Sequence, residues 1–440
     1  MNTLATMPKY EKYKDSKVLN IGLIPQHWNV KKLKFMAAVN SNSLSENSPR
    51  NMLLEYVDIG SVSFEYGIEK TEVHIFKEAP SRARRLAQEG DVVISTVRTY
   101  LKAIAYVDDE ASKYVYSTGF AVISPRGSLS SNYLGYLVKS NSFTHQVDLV
   151  AKGMSYPAIN TTELSNLYLL DVPESEQHLI AKFLNHKIAN IDEAIAIKNK
   201  QISLLKERKQ IIIQQAVTRG LELTVPMKDS GVDWIGVIPE HWEVKRAKYI
   251  FDEVDERSKT GDEELLSVSH MTGVTPRSEK NVNMFMAEDY SGSKLCREND
   301  LVINIMWAWM GALGVSSQVG IVSPSYGVYR QKVKDTFNPV YLEYLLKSTK
   351  YVEYYNKVST GLHSSRLRFY GHMMFAMKIG YPPIDEQNDI ISYLDEQTKL
   401  IDEAVKVQDE QIVKLTEFKT SLINSVVTGK IKITPEMVED

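Results

Sequence analysis

Cysteine is almost absent. Cys296 is the only one in 440 residues, so no internal disulfide can form and a cysteine-rich zinc site is excluded. A reducing compartment, the cytoplasm, is the expected location. Long apolar runs are lacking as well: Ile379 to Ile384 is short and Leu301 to Gly314 is broken by polar residues, against the roughly 20 residues a membrane span needs. Nothing resembles a signal peptide. Charge of one sign is not in excess, since 52 basic and 55 acidic residues leave a net −3, without the bulk basic signal of many nucleic-acid binders. The sequence also has no Gly-x-x-x-x-Gly-Lys, no Gly-x-Gly-x-x-Gly after a strand, no His-Glu-x-x-His and no Gly-x-Ser-x-Gly. Nor does it have the Asn-Pro-Pro-Tyr type of tetrapeptide used by amino-methyltransferases; Asn338-Pro339-Val340-Tyr341 and Tyr381-Pro382-Pro383-Ile384 both fail. A chain without these signatures is not expected to be an enzyme itself, and no catalytic residue and no metal ligand is assigned.

What is present is a duplication. Asp15 to Lys34 and Asp229 to Lys248, 214 residues apart, are identical at 12 of 20 positions, and Glu176 to Thr218 returns at Glu386 to Thr428 with a constant offset of 210. Two units lie head to tail, which predicts pseudo-twofold symmetry and suits a two-part target such as a duplex with two half-sites. At 440 residues with 43% hydrophobic content, the chain exceeds what one core fills, so two or more domains are expected.

The second repeat carries a heptad-like apolar stripe. Leu184, Ile188, Ile191, Ile195, Ile202, Leu205 and Ile212 follow steps of three and four, interrupted by Lys198 and Lys209. Leu394, Ile401, Val405, Ile412, Leu415 and Leu422 do the same, interrupted by Thr398, Gln408 and Lys419. Each predicts a helix of about 43 residues, roughly 65 Å long, without internal Pro or Gly. The first copy has eight basic and four acidic residues and the second five and nine, so their net charges of +4 and −4 favour pairing of one with the other. The order globule, helix, globule, helix permits antiparallel packing. The globules, approximately Tyr10 to Val172 and Val232 to Pro382, have strand-like runs at Asp91 to Val97, Phe120 to Ser124, Leu301 to Ile305 and Gly327 to Val333. Short helices are predicted at Asn132 to Ser140 and Val340 to Ser348. The fold expected is therefore mixed α/β, of the α+β kind: two globules separated by two long helices that pair as an antiparallel coiled coil.

The repeated Ile-Pro-x-His-Trp places His27 and His241 beside Trp28 and Trp242. The structural reading, a proline-fixed turn with Trp as a plug, is preferred over a ligand site because both copies keep the motif while the surrounding globules differ. Candidates for nucleic-acid contact lie in the divergent parts. Arg82, Arg84, Arg85, Arg98 and Lys102 cluster in the first globule; Lys347, Lys350, Lys357, Arg366 and Arg368 cluster in the second, interleaved with Tyr351, Tyr354, Tyr355, Phe369 and Tyr370. Such groups neutralise phosphates and read base edges, although a charge run is often only a solvated face. Two loops at equivalent positions differ in content: Gly153 to Asn160, with Ser155, Tyr156 and Asn160, and Gly361 to Arg366, with His363, Ser364, Ser365 and Arg366. They are mobile surface or base-reading loops on a rigid scaffold. Trp307 and Trp309 align with Arg98 and Tyr100, and their alternation favours packing on a sheet face.

The pattern Asp-Ser-Gly-Val-x-Trp-Ile-Gly-x-Ile-Pro-Glu-His-Trp-Glu-Val is complete at Asp229 to Val244 and partial at Asp15 to Val30. There Lys17, Leu19 and Asn20 replace Gly, an acid and Trp, while Gln26 and Asn29 replace Glu. With Pro-x-x-Glu-Gln at Pro173 to Gln177 and Pro383 to Gln387, it resembles type I restriction-modification specificity (S) subunits over nearly the whole chain. The resemblance implies target recognition domains at 1–172 and 221–382, spacer helices at 173–220 and 383–431, and a tail at 432–440. It implies a DNA target in two halves, docking of two methyltransferase subunits, and restriction/translocase subunits in the full complex. S-adenosylmethionine, ATP and Mg are then expected only in those partners, and no cofactor in this chain. A specificity subunit of a combined restriction-methylation enzyme, and a two-headed coiled-coil adaptor protein, are the alternatives.

Overall fold

The computed structural model describes residues 4–222, 224–280, 289–363 and 366–438. Two helices dominate it, Glu174–Arg219 with 46 residues and Ile384–Val427 with 44. The chain forms two compact units that do not follow chain order: residues 1–198 with 410–440, and residues 199–409. Each unit thus combines one globule, the first half of the helix that follows it and the second half of the other helix.

Within the first unit the two helix segments run antiparallel, because Asp192 pairs with Lys419 at 2.7 and 2.8 Å while Lys198, further along, donates to Gln411. Within the second, Lys209 donates to Asp402 at 2.7 and 2.8 Å, and Gly220 lies against Glu386. The lysines that interrupt the apolar stripe at 198, 209 and 419 are therefore the residues that reach across the pair. Half-exposed ion pairs contribute about 0–1 kcal/mol each, so their effect is to select register, and the apolar stripe supplies the stability. Leu184, Ile188, Ile191, Ile195, Ile202, Leu394, Ile401 and Leu422 are buried, and Leu205, Ile212, Val405, Ile412 and Leu415 are half-buried.

Both globules share one frame. In the first, a four-stranded antiparallel sheet runs Ile104–Tyr106, Val92–Ser95, Phe120–Pro125, Ala37–Val39. In the second, the matching sheet runs Leu313–Val315, Leu301–Ile303, Gly327–Gln331, Phe251–Glu253. The turn into the central strand is built alike: Asp91 and Asp300, both buried, accept from the amides of Gln88 and Arg297 at 2.8 Å. The residue before each, Gly90 or Asn299, has positive φ, which Gly and Asn adopt most easily. Beyond this sheet the globules diverge. The first adds a five-stranded sheet containing Leu53–Val57, Ala83–Leu86 and Val115–Ser117. In the second, among the described residues, there are two-stranded pairs at Leu266–Ser269 with Gly273–Pro276 and at Lys294–Cys296 with Gly320–Val322.

The repeated motifs meet where helix and globule join. Glu176 holds three side chains of its own unit: Tyr10 Oη at 2.6 Å, His27 Nε2 at 2.6 Å and Trp28 Nε1 at 3.2 Å. Glu386 holds His241 at 2.6 Å and Trp242 at 3.1 Å. Burial and the Glu176 carboxylate push the Tyr10 hydroxyl well above its ordinary pKa, which keeps it a donor. The neighbouring Gln177 is fully buried and accepts from Ser130 N while donating to Ser128 O and Val172 O. Gln387 repeats this with Asn338 N, Thr336 O and Pro382 O. The two histidines thus have a structural place, as orienters of the Trp plug.

The far end of the opposite helix closes the same joint. Tyr133 donates to Val427 O at 3.1 Å, and its counterpart Tyr341 donates to Val217 O at 3.0 Å, so a buried tyrosine satisfies a terminal carbonyl each time. The helices then stop at Gly429 and Gly220, at φ 72° and 76°. A Cβ on Gly429 would meet Pro25 at 2.5 Å and Trp28 at 2.9 Å. Gly429→Ala is expected to cost about 2–4 kcal/mol, the sum of positive-φ strain and overpacking. Gly127→Ala, with φ 63° and open space around it, is expected to cost only about 1 kcal/mol. Urea unfolding of both variants checks the difference, and equal losses would remove the packing contribution.

Candidate nucleic-acid interface

Each unit brings two loops together at one end of its four-stranded sheet. In the first, residues 96–103 join the strands Val92–Ser95 and Ile104–Tyr106, and residues 151–160 follow the helix Asn141–Val150. Ile159 N donates to Thr96 O at 2.9 Å and Thr99 N to Pro157 O at 3.2 Å, which ties the loops side by side. In the second unit, Phe369 N donates to Ile305 O at 3.0 Å, joining residues 304–312 to residues 366–370. The scaffold contact is conserved between the copies while the side chains it presents are not.

Arg98 stands on the first loop pair. Its backbone is left-handed at φ 54°, and so is Lys102 at φ 46° on the other side of the Thr99–Leu101 turn. For non-glycine residues this costs energy, on the order of 1–3 kcal/mol each, and such outliers cluster at functional sites. Position 311, equivalent to 102, is a glycine with φ 81°, so the second unit makes the same turn without strain. The Arg98 guanidinium lies 5.1 Å over the ring of Tyr156, a cation–π contact that holds both side chains outward. Tyr156 is 64% exposed and Ser155 is exposed beside it. Lys102 lies 3.9 Å from Asp148. Asn160 is exposed but already engaged: its side chain accepts from Glu163 N at 2.8 Å as half of a helix-capping box.

The remaining basic residues of the first globule do not join Arg98. Arg82, Arg84 and Arg85 lie at the strand Ala83–Leu86 of the five-stranded sheet. Arg84 is half-buried and donates to Ala83 O, with Phe76 5.2 Å below it, and Arg85 is half-buried in the sheet. Of the three, Arg82 alone is exposed. It neighbours the loop pair through the backbone, because Thr118 N donates to Arg82 O and Thr96 N donates to Gly119 O.

In the second unit, Lys357, His363 and Arg366 are exposed and Arg368 is half-buried. Arg366 N donates to His363 O at 2.8 Å, and Thr360 and Arg368 pair through both backbone bonds. Gly361 is required where it stands, since a Cβ would meet Arg366 O at 2.3 Å. Ser364 and Ser365 lie outside the described residues. Several expectations need correction. Lys347 is paired with Glu343 at 2.8 Å, and Lys350 donates to Ile235 O, so neither is free for a ligand. Tyr351, Tyr355 and Phe369 are buried; they form core rather than an exposed aromatic series.

Trp307 and Trp309 are the other correction. They do not pack a sheet face: Trp307 precedes the 3-10 turn Ala308–Met310 at the hairpin tip and Trp309 is its middle residue. Trp307 is 50% exposed and stacks on Trp309 at 6.0 Å. Trp309 is fixed by its own Nε1 donating to Met306 O at 3.1 Å and by Asn356 Nδ2 donating to Trp309 O at 2.6 Å. Trp307 thus presents an exposed aromatic face at the tip. It occupies the position of Arg98 in the other unit. Among the described residues there is no helix long and apolar enough to cross a membrane and no cluster of three or more His, Cys, Asp or Glu placed to hold a metal ion.

Residues 25–207 match the family described as the type I restriction modification DNA specificity domain. The putative type I restriction enzyme MjaX specificity subunit of Methanocaldococcus jannaschii is 22% identical over 440 residues, covering 97% of this chain and 98% of that one. The HindI specificity subunit of Haemophilus influenzae is 30% identical over 108 residues, 24% of this chain and 23% of that one. The fold is shared with the HsdS subunit of Thermoanaerobacter tengcongensis, with TM-score 0.52, 20% identity, and 93% and 98% of the two chains covered. It is also shared with a chain from a type I R-M system solved for its complex assembly and conformational transition, with TM-score 0.67, 20% identity, and 92% and 98% covered. Domain match, full-length relative and common fold agree with the duplicated frame: residues 25–207 match the type I restriction modification DNA specificity domain, and over 97% of its length the chain is similar to a putative type I specificity subunit.

Proposed function

We propose that each loop pair reads one half of a bipartite DNA target, that the chain performs no chemistry of its own, and that it docks two methyltransferase subunits, joined by restriction/translocase subunits in the full complex. S-adenosylmethionine, ATP and Mg belong to those partners in this reading. The observation that carries it is the unlike chemistry at equivalent positions of one frame, Arg98 with Tyr156 on one loop pair and Trp307 with Trp309 on the other. Identical readers would demand a palindromic target, whereas unlike ones specify two different half-sites. Arg98, Tyr156, Ser155 and Arg82 are assigned to one half-site; Trp307, Lys357, His363, Arg366 and Arg368 to the other. An arginine pairs bidentately with guanine, and a tryptophan face meets a thymine methyl or stacks on an exposed base.

Selection from a random duplex pool, using the chain with its methyltransferase partner, tests this reading. Two enriched blocks separated by a fixed spacer are expected; enrichment of no sequence would refute it. The paired helices act as the ruler. Lengthening both by the same few residues is expected to change the spacer and leave the letters alone, read by the same selection. Altered letters with an unchanged spacer would contradict the ruler.

A further inference from the structure

The helix Ser131–Lys139 reads Ser-Asn-Tyr-Leu-Gly-Tyr-Leu-Val-Lys, and its counterpart Pro339–Lys347 reads Pro-Val-Tyr-Leu-Glu-Tyr-Leu-Leu-Lys. One difference is chemically large. In the second unit, Glu343 is one turn before Lys347 and pairs with it at 2.8 Å, while its other oxygen accepts from Val315 N at 3.0 Å. In the first unit the equivalent of Glu343 is Gly135, and Tyr106 packs where a Cβ would stand, 3.2 Å away. Lys139 therefore keeps its ammonium and loses its internal carboxylate.

A cleft of about 310 Å³ opens at that point. Its apolar walls come from Phe64, Tyr106, Tyr136, Ile188, Ile195 and Ile423, and Lys139 Nζ lies 5.9 Å from the Phe64 ring centroid. The charged groups facing it are Lys419, Asp192 and Glu65. Asp192 is taken, with both oxygens bonded to Lys419, and Glu65 is exposed and outside ion-pair distance of Lys139. Tyr136 is engaged with Asn185 at 2.6 Å, and burial pushes its hydroxyl up to about 12. Burial, then the like charge of Lys419, lowers Lys139 to about 8 against the weaker pull of Asp192. A half-buried ammonium without a counter-ion is costly, and a carboxylate brought to it relieves that cost.

We infer that this cleft is a binding site for a carboxylate on an apolar body, pairing with Lys139 from outside as Glu343 pairs with Lys347 from within. The carboxylate belongs to a small molecule or to an acidic side chain of a partner subunit; the chemistry is the same, and the test separates the sources.

The test follows acetylation of Lys139 in the full chain by trace acetic anhydride at pH 8, quantified by mass spectrometry, with phenylacetate as probe. A bound carboxylate that raises the Lys139 pKa by one unit cuts its neutral, reactive fraction at pH 8 roughly fivefold. Millimolar phenylacetate is expected to slow labelling by that factor while 2-phenylethanol, the same body without the charge, leaves it unchanged. Gly135→Glu is expected to slow labelling without probe and to abolish the phenylacetate effect. Should that variant fold poorly against Tyr106, Lys139→Met serves instead, with loss of phenylacetate saturation-transfer NMR signal. No slowing by phenylacetate, equal slowing by 2-phenylethanol, or undiminished probe binding in Lys139→Met would each overturn the inference. Addition of the methyltransferase subunit distinguishes the sources: slowing without probe identifies a partner side chain, and unchanged labelling that phenylacetate still slows identifies a small carboxylate.

Discussion

Gln177→Leu is expected to weaken the first unit by about 3–6 kcal/mol. The change keeps the side-chain volume and removes every polar atom. It leaves Val172 O, in a buried bond, and Ser130 N and Ser128 O, in part-buried ones, without their partner, and such an orphan costs about 1–3 kcal/mol, the part-buried ones at the lower end. The effect is large because one amide serves three backbone groups from two segments, fixing the helix start against the globule. Gln387→Leu is expected to act alike on the second unit through Asn338 N, Thr336 O and Pro382 O. Glu174→Gln, on an exposed position of the same turn, is expected to stay within about 0.5 kcal/mol. Hydrogen exchange of amides in each unit measures the local loss, which suits a chain of two units better than a single unfolding midpoint. A loss below about 1 kcal/mol for both glutamines would mean that water replaces the side chain, and the joint would not depend on the motif.

Arg98→Ala is expected to reduce affinity for the cognate duplex by about 1–3 kcal/mol, roughly 5- to 150-fold, and to relax one position of one half-site. The cation–π contact with Tyr156 and the left-handed backbone already hold the guanidinium outward, so little entropy is lost on binding and the contact retains most of its strength. Trp307→Ala is expected to relax the other half-site and leave the first unchanged. Sequence selection with each variant checks both. Uniform weakening across all sequences, with a salt slope smaller by about one, would reassign Arg98 to a phosphate contact.

The long helices were legible because their apolar stripe persists for four to five heptads and no Pro or Gly interrupts it. Even the polar interruptions were informative, since Lys209 and Lys419 became the cross-helix partners of Asp402 and Asp192. The Glu176 hub was not legible: its partners Tyr10, His27 and Trp28 lie about 150 residues or more away in sequence, and no local periodicity links them. The two tryptophans were misread because residues at i and i+2 share one face of a strand, while the same spacing equally places one before a 3-10 turn and one within it at a hairpin tip. The arginine cluster dispersed for a related reason. Proximity in sequence placed Arg84 and Arg85 with Arg98, whereas a change of sheet between them separates the groups. Both base-reading loop candidates were found from position alone, because Gly153 and Gly361 follow equivalent helices by the same distance. Their pairing with the hairpin tips needed the backbone bonds Ile159 to Thr96 and Phe369 to Ile305.

The most direct measurement is a map of methylated bases in the genome of a host carrying this chain and the methyltransferase partner proposed for it. Two short fixed blocks of different sequence, separated by a constant run of unspecified bases, are the predicted motif, and disruption of this chain's gene should erase the methylation at all such sites together. A single continuous motif, two identical blocks, or methylation that survives the disruption would contradict an account in which unlike loop pairs on a duplicated frame read the two halves.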